Sequence, residues 1–136
     1  MANGIHFELI GPDTMPRSAG YSQIALVTEG CLVFVAGQVA LDTSGNLVGK
    51  NDFRAQVRQV FENLKAAVEA AGGTMNDLIK LNTYMLDLSH LSAFRESRDQ
   101  YVNLKAPPAS TLVQVTGLFR PEFLVEVEAV AVVRTK

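Results

Sequence analysis

Two carboxylates stand two residues apart in the otherwise apolar run FLVEVEAVAVV, residues 123–133: Glu126 and Glu128. In a strand, residues at that spacing point to the same face. An ionised carboxylate is costly to bury without a partner. It must either find a cation or hold its proton more tightly than it does in water. A carboxyl of the second kind can take a proton from water and return it later in a reaction, which is general acid–base chemistry. Glu126 or Glu128 could take that role; the plain alternative is a structural one, a buried salt bridge or an edge-strand position. The remaining titratable groups offer less. His6 lies near the N-terminus and His90 at an expected helix start, where a surface histidine is ordinary. Cys31 borders a turn and an apolar run, so an inert core position is expected. As the only cysteine it excludes an intrachain disulfide and a zinc cluster. No ligand spacing suggests a metal or a cofactor, and none is expected.

The elements that must hold these carboxylates can be read from the pattern of the chain. HFELI (6–10) is a short candidate strand, YSQIALVTEG (21–30) a second, and CLVFVAGQVAL (31–41), β-branched and apolar, a third. Phe53, Val57, Val60, Phe61, Leu64, Val68 and Ala71 recur at steps of three and four, which predicts a helix with one apolar face. Asn51 or Asp52 can cap its start, and Gly72–Gly73 stops it. TMND (74–77) resembles a capping box for a single turn. IKLNTYMLDL (79–88) alternates as a strand. Ser89 is the expected cap of a second helix carrying Leu91, Phe94, Tyr101 and Val102 inward, and KAPPAS breaks it. STLVQVTGL (110–118) and the run bearing Glu126 complete a β-β-β-α-β-α-β-β order. The expected fold class is α+β: about six strands, mostly antiparallel, with two helices on one face. Several strands are apolar on both alternating faces, and two helices cover only one. The other face must meet something else, which predicts a homo-oligomer.

The chain has 136 residues, 48% of them hydrophobic, enough for one domain spanning 1–136 but not naturally two. The net charge of -2, with no basic stripe, argues against nucleic acid as a partner. The segment MANGIHFELIGPDTMP lacks the basic start and long apolar centre of a signal peptide. No stretch is long and apolar enough for a membrane span. A cytoplasmic protein without membrane contact is expected. The initiator Met and the absence of a tag suggest a complete natural chain.

The helix segment DFRAQVRQVFENLKAAVEAAGGTMNDLIKLNTYMLDL, with YSQ and VFVAGQVALD before it and PPAS and LVEVEAVAV after it, resembles the RidA/YjgF family. The resemblance covers roughly residues 19 to 133. It implies a chorismate-mutase-like fold and a homotrimer with a small-molecule cleft at each subunit interface. It also implies hydrolysis of reactive enamines and imines to keto acids and ammonia. Glu126 matches the carboxylate of the family pattern IEIEAIA, which faces that cleft and positions or activates water. Tyr21, in GYSQ, matches the cleft tyrosine. Gly37, in AGQ, matches a glycine that lets the backbone approach the ligand; it can also mark a bulge. One departure stands out. The family's deaminases carry an arginine after P-A, which grips the substrate carboxylate with both arms of its fork. This chain reads PPASTLVQV, with Ser110 in that place, and a neutral serine cannot replace a guanidinium. Ser110 and Thr111 can each offer one hydrogen bond to a ligand. Arg95, four residues after Leu91, and Arg120, in GLFRPEF, are candidate substitutes for the missing cation.

Two functions follow from the resemblance. The first is a hydrolytic deaminase of an enamine, imine or related small catabolic metabolite, in which Glu126 orients or deprotonates water. The second is a trimer that binds a small metabolite as a sensor or regulator. A ribonuclease, a label attached to the family, fits the charge balance poorly. The surroundings of Glu126 bear on the choice. An apolar cleft without a cation would raise its pKa, whereas a neighbouring Arg95 or Arg120 would lower it.

Overall fold

The computed structural model describes residues 6–135, so the first five residues of the stretch examined for a signal peptide lie outside the described residues. The element order is that expected: β1 (His6–Ile10), β2 (Ile24–Glu29), β3 (Cys31–Gln38), α1 (Phe53–Ala70), β4 (Leu78–Met85), α2 (Leu91–Asp99), β5 (Ala109–Gln114) and β6 (Val125–Val133). The predicted apolar stripe is the inner face of α1: Val57, Val60, Phe61, Leu64 and Val68 are wholly buried. Asp52 caps this helix, its Oδ1 accepting from the Ala55 N–H at 3.1 Å. At the other end Gly72 takes φ of 94°, which a glycine adopts freely. The N–H of Gly73 then reaches the Val68 carbonyl and that of Gly72 the Glu69 carbonyl, each at 3.0 Å, so the last carbonyls of the helix are satisfied. Thr74 and Asp77 form the capping box read from TMND.

Two expectations are corrected. Ser89 does not cap the second helix. The Asp87 carboxylate accepts from the Ser89 N–H at 2.9 Å and starts a 3₁₀ turn, Leu88–His90, that runs directly into α2. A carboxylate one turn earlier is the stronger acceptor and takes the capping role. Nor do the strands form one six-stranded sheet. Four of them make a mixed sheet in the order β3-β6-β4-β5, with β4 and β5 parallel and the other pairs antiparallel. Strands β1 and β2 form a separate antiparallel pair, whose continuation meets β5 through the Ser22–Ala109 bridge. Gly30 alone separates β2 from β3, and its φ of 128° turns the chain sharply between the two sheets.

Both helices lie on one face of the four-stranded sheet, and the core fills the gap between. Leu81 and Met85 of β4 and Val125, Val127, Ala129 and Ala131 of β6 pack there against the α1 stripe, Phe94 and Val102. Gln56, fully buried in α1, ties the helix to the approach of β6. Its Nε2 donates to the carbonyls of Gly49 at 3.1 Å and Glu122 at 2.8 Å, and its Oε1 accepts from the Leu124 N–H at 2.9 Å. The opposite face is uncovered in a single chain: Phe34 is 76% exposed and Leu32 53%. Glu126 and Glu128 alternate with the buried valines of β6, so both stand on this open face.

Candidate functional site

Strand β6 aims Glu126 outward, and β3 makes room for it. The pairing of β3 with β6 slips by a bulge between Val35 and Gln38, and Gly37 falls inside the slip. A Cβ at position 37 would overlap Oε2 of Glu126. The glycine therefore serves the carboxylate directly: the Glu126 side chain lies over bare backbone. Glu126 shares a cavity of about 370 Å³ with Tyr84, Glu128, Gly117, Leu118 and Phe119.

The two carboxylates on this face have different surroundings. Glu128 is held: its Oε1 accepts from the Tyr84 hydroxyl at 2.6 Å and from Nδ2 of Asn82 at 3.2 Å. Its partners lie within the chain. The Tyr84 phenol is pushed above its ordinary range, first by that hydrogen bond and then by burial. Glu126 has no hydrogen-bond or ion-pair partner among the described residues. Its carboxyl is raised above the ordinary 4.5, first by burial and then by the neighbouring Glu128. That is the outcome expected of a cleft without a cation. Neither candidate arginine reaches it. Arg120 is paired to Glu122 through Nε and Nη2, both at 3.1 Å, and its guanidinium lies 4.8 Å from the centre of the Phe123 ring.

Tyr21, Arg95 and Ser110 meet elsewhere. They line a cavity of about 180 Å³ between α2 and β5, together with Leu91, Phe94, Arg98 and Leu112. Ser110 pairs with Leu81 and Leu112 with Thr83, so both β5 residues stand on the helix face. Thr111, between them, points to the open face, where its hydroxyl accepts from Nζ of Lys80 at 2.8 Å. The alternation of the strand thus places the two candidate hydroxyls, Ser110 and Thr111, on opposite faces of the sheet. In one chain, the Glu126 cavity and the Tyr21–Ser110 cavity lie on opposite faces of the sheet.

Two residues of these cavities went unnoticed in the sequence. Tyr84 reads as one more strand aromatic, although its register opposite Glu126 would have marked it. Arg98 sits in the charged run RESRD, which invites a solvated reading, yet it is 6% exposed. The signal was its spacing: Arg98 follows Phe94 by four and Leu91 by seven, on the inward stripe of α2. Cys31 is corrected in the other direction. It opens β3, an edge strand that the helices do not cover at that end, and its side chain is exposed. His90 stacks on Phe53 with ring centres 4.3 Å apart, and His6 lies 3.9 Å from Glu8 on the surface. Among the described residues no three His, Cys, Asp or Glu side chains come together as a metal site, and no helix is long and apolar enough to cross a membrane.

Residues 13–133 match the family described as Endoribonuclease L-PSP. The chain belongs to that family. It is 36% identical over 125 residues to a RutC family protein of Pyrococcus horikoshii, covering 91% of this chain and 96% of that one. It is 35% identical over 124 residues to the protein DfrA of Myxococcus xanthus, covering 90% and 93%. Among solved structures, YyfB of Yersinia pestis, a member of the Rid protein family, superposes with a TM-score of 0.86 at 34% identity, covering 93% of this chain and 98% of that one. RidA of an Antarctic Psychrobacter superposes at 0.70 with 36% identity, covering 93% and 99%. The resemblance seen in the sequence and the α+β fold class are therefore both established. Helix α2, β5 and β6 carry the two cavities of this Rid-family chain, all within the matched span.

Proposed function

We propose that this Rid-family protein is a hydrolytic deaminase of a small reactive enamine or imine. The observation that carries the reading is Glu126: an unpartnered carboxyl, its proton affinity raised by burial, lying over Gly37 and facing an open cavity. Such a group holds a proton more readily than an ordinary carboxylate and can give it back, as general acid–base catalysis requires. In the reaction, Glu126 takes a proton from water while the water oxygen bonds to the C=N carbon. Glu126 passes that proton to the nitrogen, giving a neutral carbinolamine. The carbinolamine hydroxyl then loses its proton, which reaches the nitrogen by the same route as the C–N bond breaks and the C=O bond forms, so ammonia and a carbonyl compound leave. An enamine enters the same sequence after taking up a proton at carbon and losing one from nitrogen, which converts it to the imine. Tyr84 and Glu128 border the same cavity and hold its polar wall in place.

The reading includes a homotrimer with the site shared between subunits. The exposed apolar residues Leu32 and Phe34 on the face that bears Glu126 support an interface there. Burying that face against the α2 edge of a second copy would bring the two halves together. A single domain and a cytoplasmic location belong to the same proposal, and the net charge of -2 speaks against a ribonuclease. One observation favours a second reading, a metabolite-binding trimer without turnover: Ser110 lines its cavity where the family resemblance calls for a cation.

The test is ammonia release from a panel of freshly generated enamines and imines, with wild type and Glu126→Ala compared. The proposal expects release above the uncatalysed rate for at least one substrate and its loss in the variant. Equal rates with and without either protein would favour the binding reading, which a ligand-dependent rise in Tm would then register.

A further inference from the structure

A buried guanidinium needs a reason. Arg98 is 6% exposed, and its only acceptor among the described residues is Oδ1 of Asp99, which takes Nε at 3.0 Å and Nη2 at 2.9 Å. An arginine has five N–H donors. Two are used, and Nη1 has no acceptor among the described residues. The chain also makes space for this group. Gly20, with φ of 79°, would place a Cβ 2.5 Å from Nη2, so a side chain there would strain the backbone and push the guanidinium aside. The guanidinium forms part of the wall of the cavity between α2 and β5.

The rest of that wall points the same way. Arg95 is a second cation, and no carboxylate lines the cavity. The hydroxyls of Tyr21 and Ser110 have no side-chain hydrogen bond among the described residues. Leu91, Phe94 and Leu112 supply the apolar part. Two guanidinium groups, two free hydroxyls and an apolar wall around some 180 Å³ suit a small anion with a short apolar body. A planar fork with adjacent free N–H groups matches a carboxylate.

We propose that this cavity is a carboxylate-binding site anchored by Arg98. The cation comes from helix α2 rather than from β5, which leaves Ser110 neutral and free to donate to the same ligand. Asp99 holds the guanidinium by one edge and leaves Nη1 to the anion. Arg95, exposed at the mouth, adds charge without fixing geometry. The anion site stands on this geometry alone; only its assignment to the carboxylate end of the substrate rests on the hydrolase reading.

The experiment is a titration of the full chain, followed by backbone-amide NMR at Arg98 and Ser110. The probes are propionate and propionamide, which match in size and differ in charge. Propionate is expected to bind through shifts at both positions, and propionamide at least tenfold more weakly. Arg98→Met is expected to weaken propionate by about 10- to 100-fold, the loss of a charge-assisted hydrogen bond. Arg98→Lys, which keeps the charge and loses the fork, should fall between. If Arg98→Met fails to fold, the lysine variant and the wild-type probe pair still decide. Equal binding of the two probes, no binding of either, or unaltered propionate binding by Arg98→Lys and any folded Arg98→Met would overturn the proposal. Ammonia release is measured separately, so an intact anion site with no turnover would count against the hydrolase reading alone.

Discussion

Replacing Gly37 with alanine separates the demands of the backbone from those of the carboxylate above it. The added methyl would overlap Oε2 of Glu126 and lie 2.8 Å from its Cδ and 3.1 Å from its Cγ. The Glu126 side chain must swing aside by on the order of 1 Å, and a displacement of that size at a reacting group costs about 100-fold in rate. Stability should hardly change. Gly37 lies outside the left-handed region, so alanine is unstrained there. Its restriction of the unfolded chain contributes about 0.5–1 kcal/mol, which offsets the cost of moving a half-buried side chain. The expected result is a fall of about 100-fold in ammonia release with Tm shifted by no more than about 4 °C. The same substitution in a Glu126→Ala background meets no obstacle, so there it should stabilise slightly and alter the residual rate no further. Equal destabilisation in both backgrounds would refute the reasoning, because the backbone and not the carboxylate would then require the glycine.

Further perturbations follow from the core and the charges. The folded-state pKa of Glu126 is raised, so its proton stabilises the fold below about pH 4.5, and that contribution is lost as pH rises through the folded value. Glu126→Gln should therefore melt higher than wild type at pH 8, with the gap closing at pH 4; a gap of constant size would contradict this. The Thr83 hydroxyl is buried without a partner, so Thr83→Val is expected to raise stability by about 1 kcal/mol in urea unfolding. Gln56→Leu strips three hydrogen bonds at the base of β6 and should cost about 3 kcal/mol or more, with the Leu124 amide losing protection from exchange. Glu128→Gln removes the carboxylate that raises the Tyr84 phenol, so phenolate absorbance should appear at lower pH than in wild type.

Much of the fold was legible because its signals are local. The α1 stripe, the Asp52 cap, the Gly72–Gly73 stop and the capping box at Thr74 each follow from neighbours within one or two turns. The division into two sheets was not, because it depends on the turn at Gly30 and on which strands find partners far along the chain. The same distinction holds at the site. Glu126 and Glu128 show as charges in an apolar strand, whereas Gly37, inside the bulge, was marked by the family resemblance. Arg98 was hidden by the charges around it, since burial depends on how α2 sits over β5. Which of the adjacent Ser110 and Thr111 hydroxyls faces the helices was not legible, because the β5 register alone decides it.

The shared site is the centre of the account, and mixing two impaired variants tests it most directly. Glu126→Gln disables one half and Arg98→Met the other, on opposite faces of the same chain. If each site draws Glu126 from one subunit and the α2 cavity from its neighbour, subunits unfolded and refolded together at equal ratio leave about a quarter of sites with both halves intact. The account expects ammonia release to return to about that fraction of wild type, above what either variant gives alone. Mixed assemblies that form and yet stay no more active than their parents would contradict a site built between subunits.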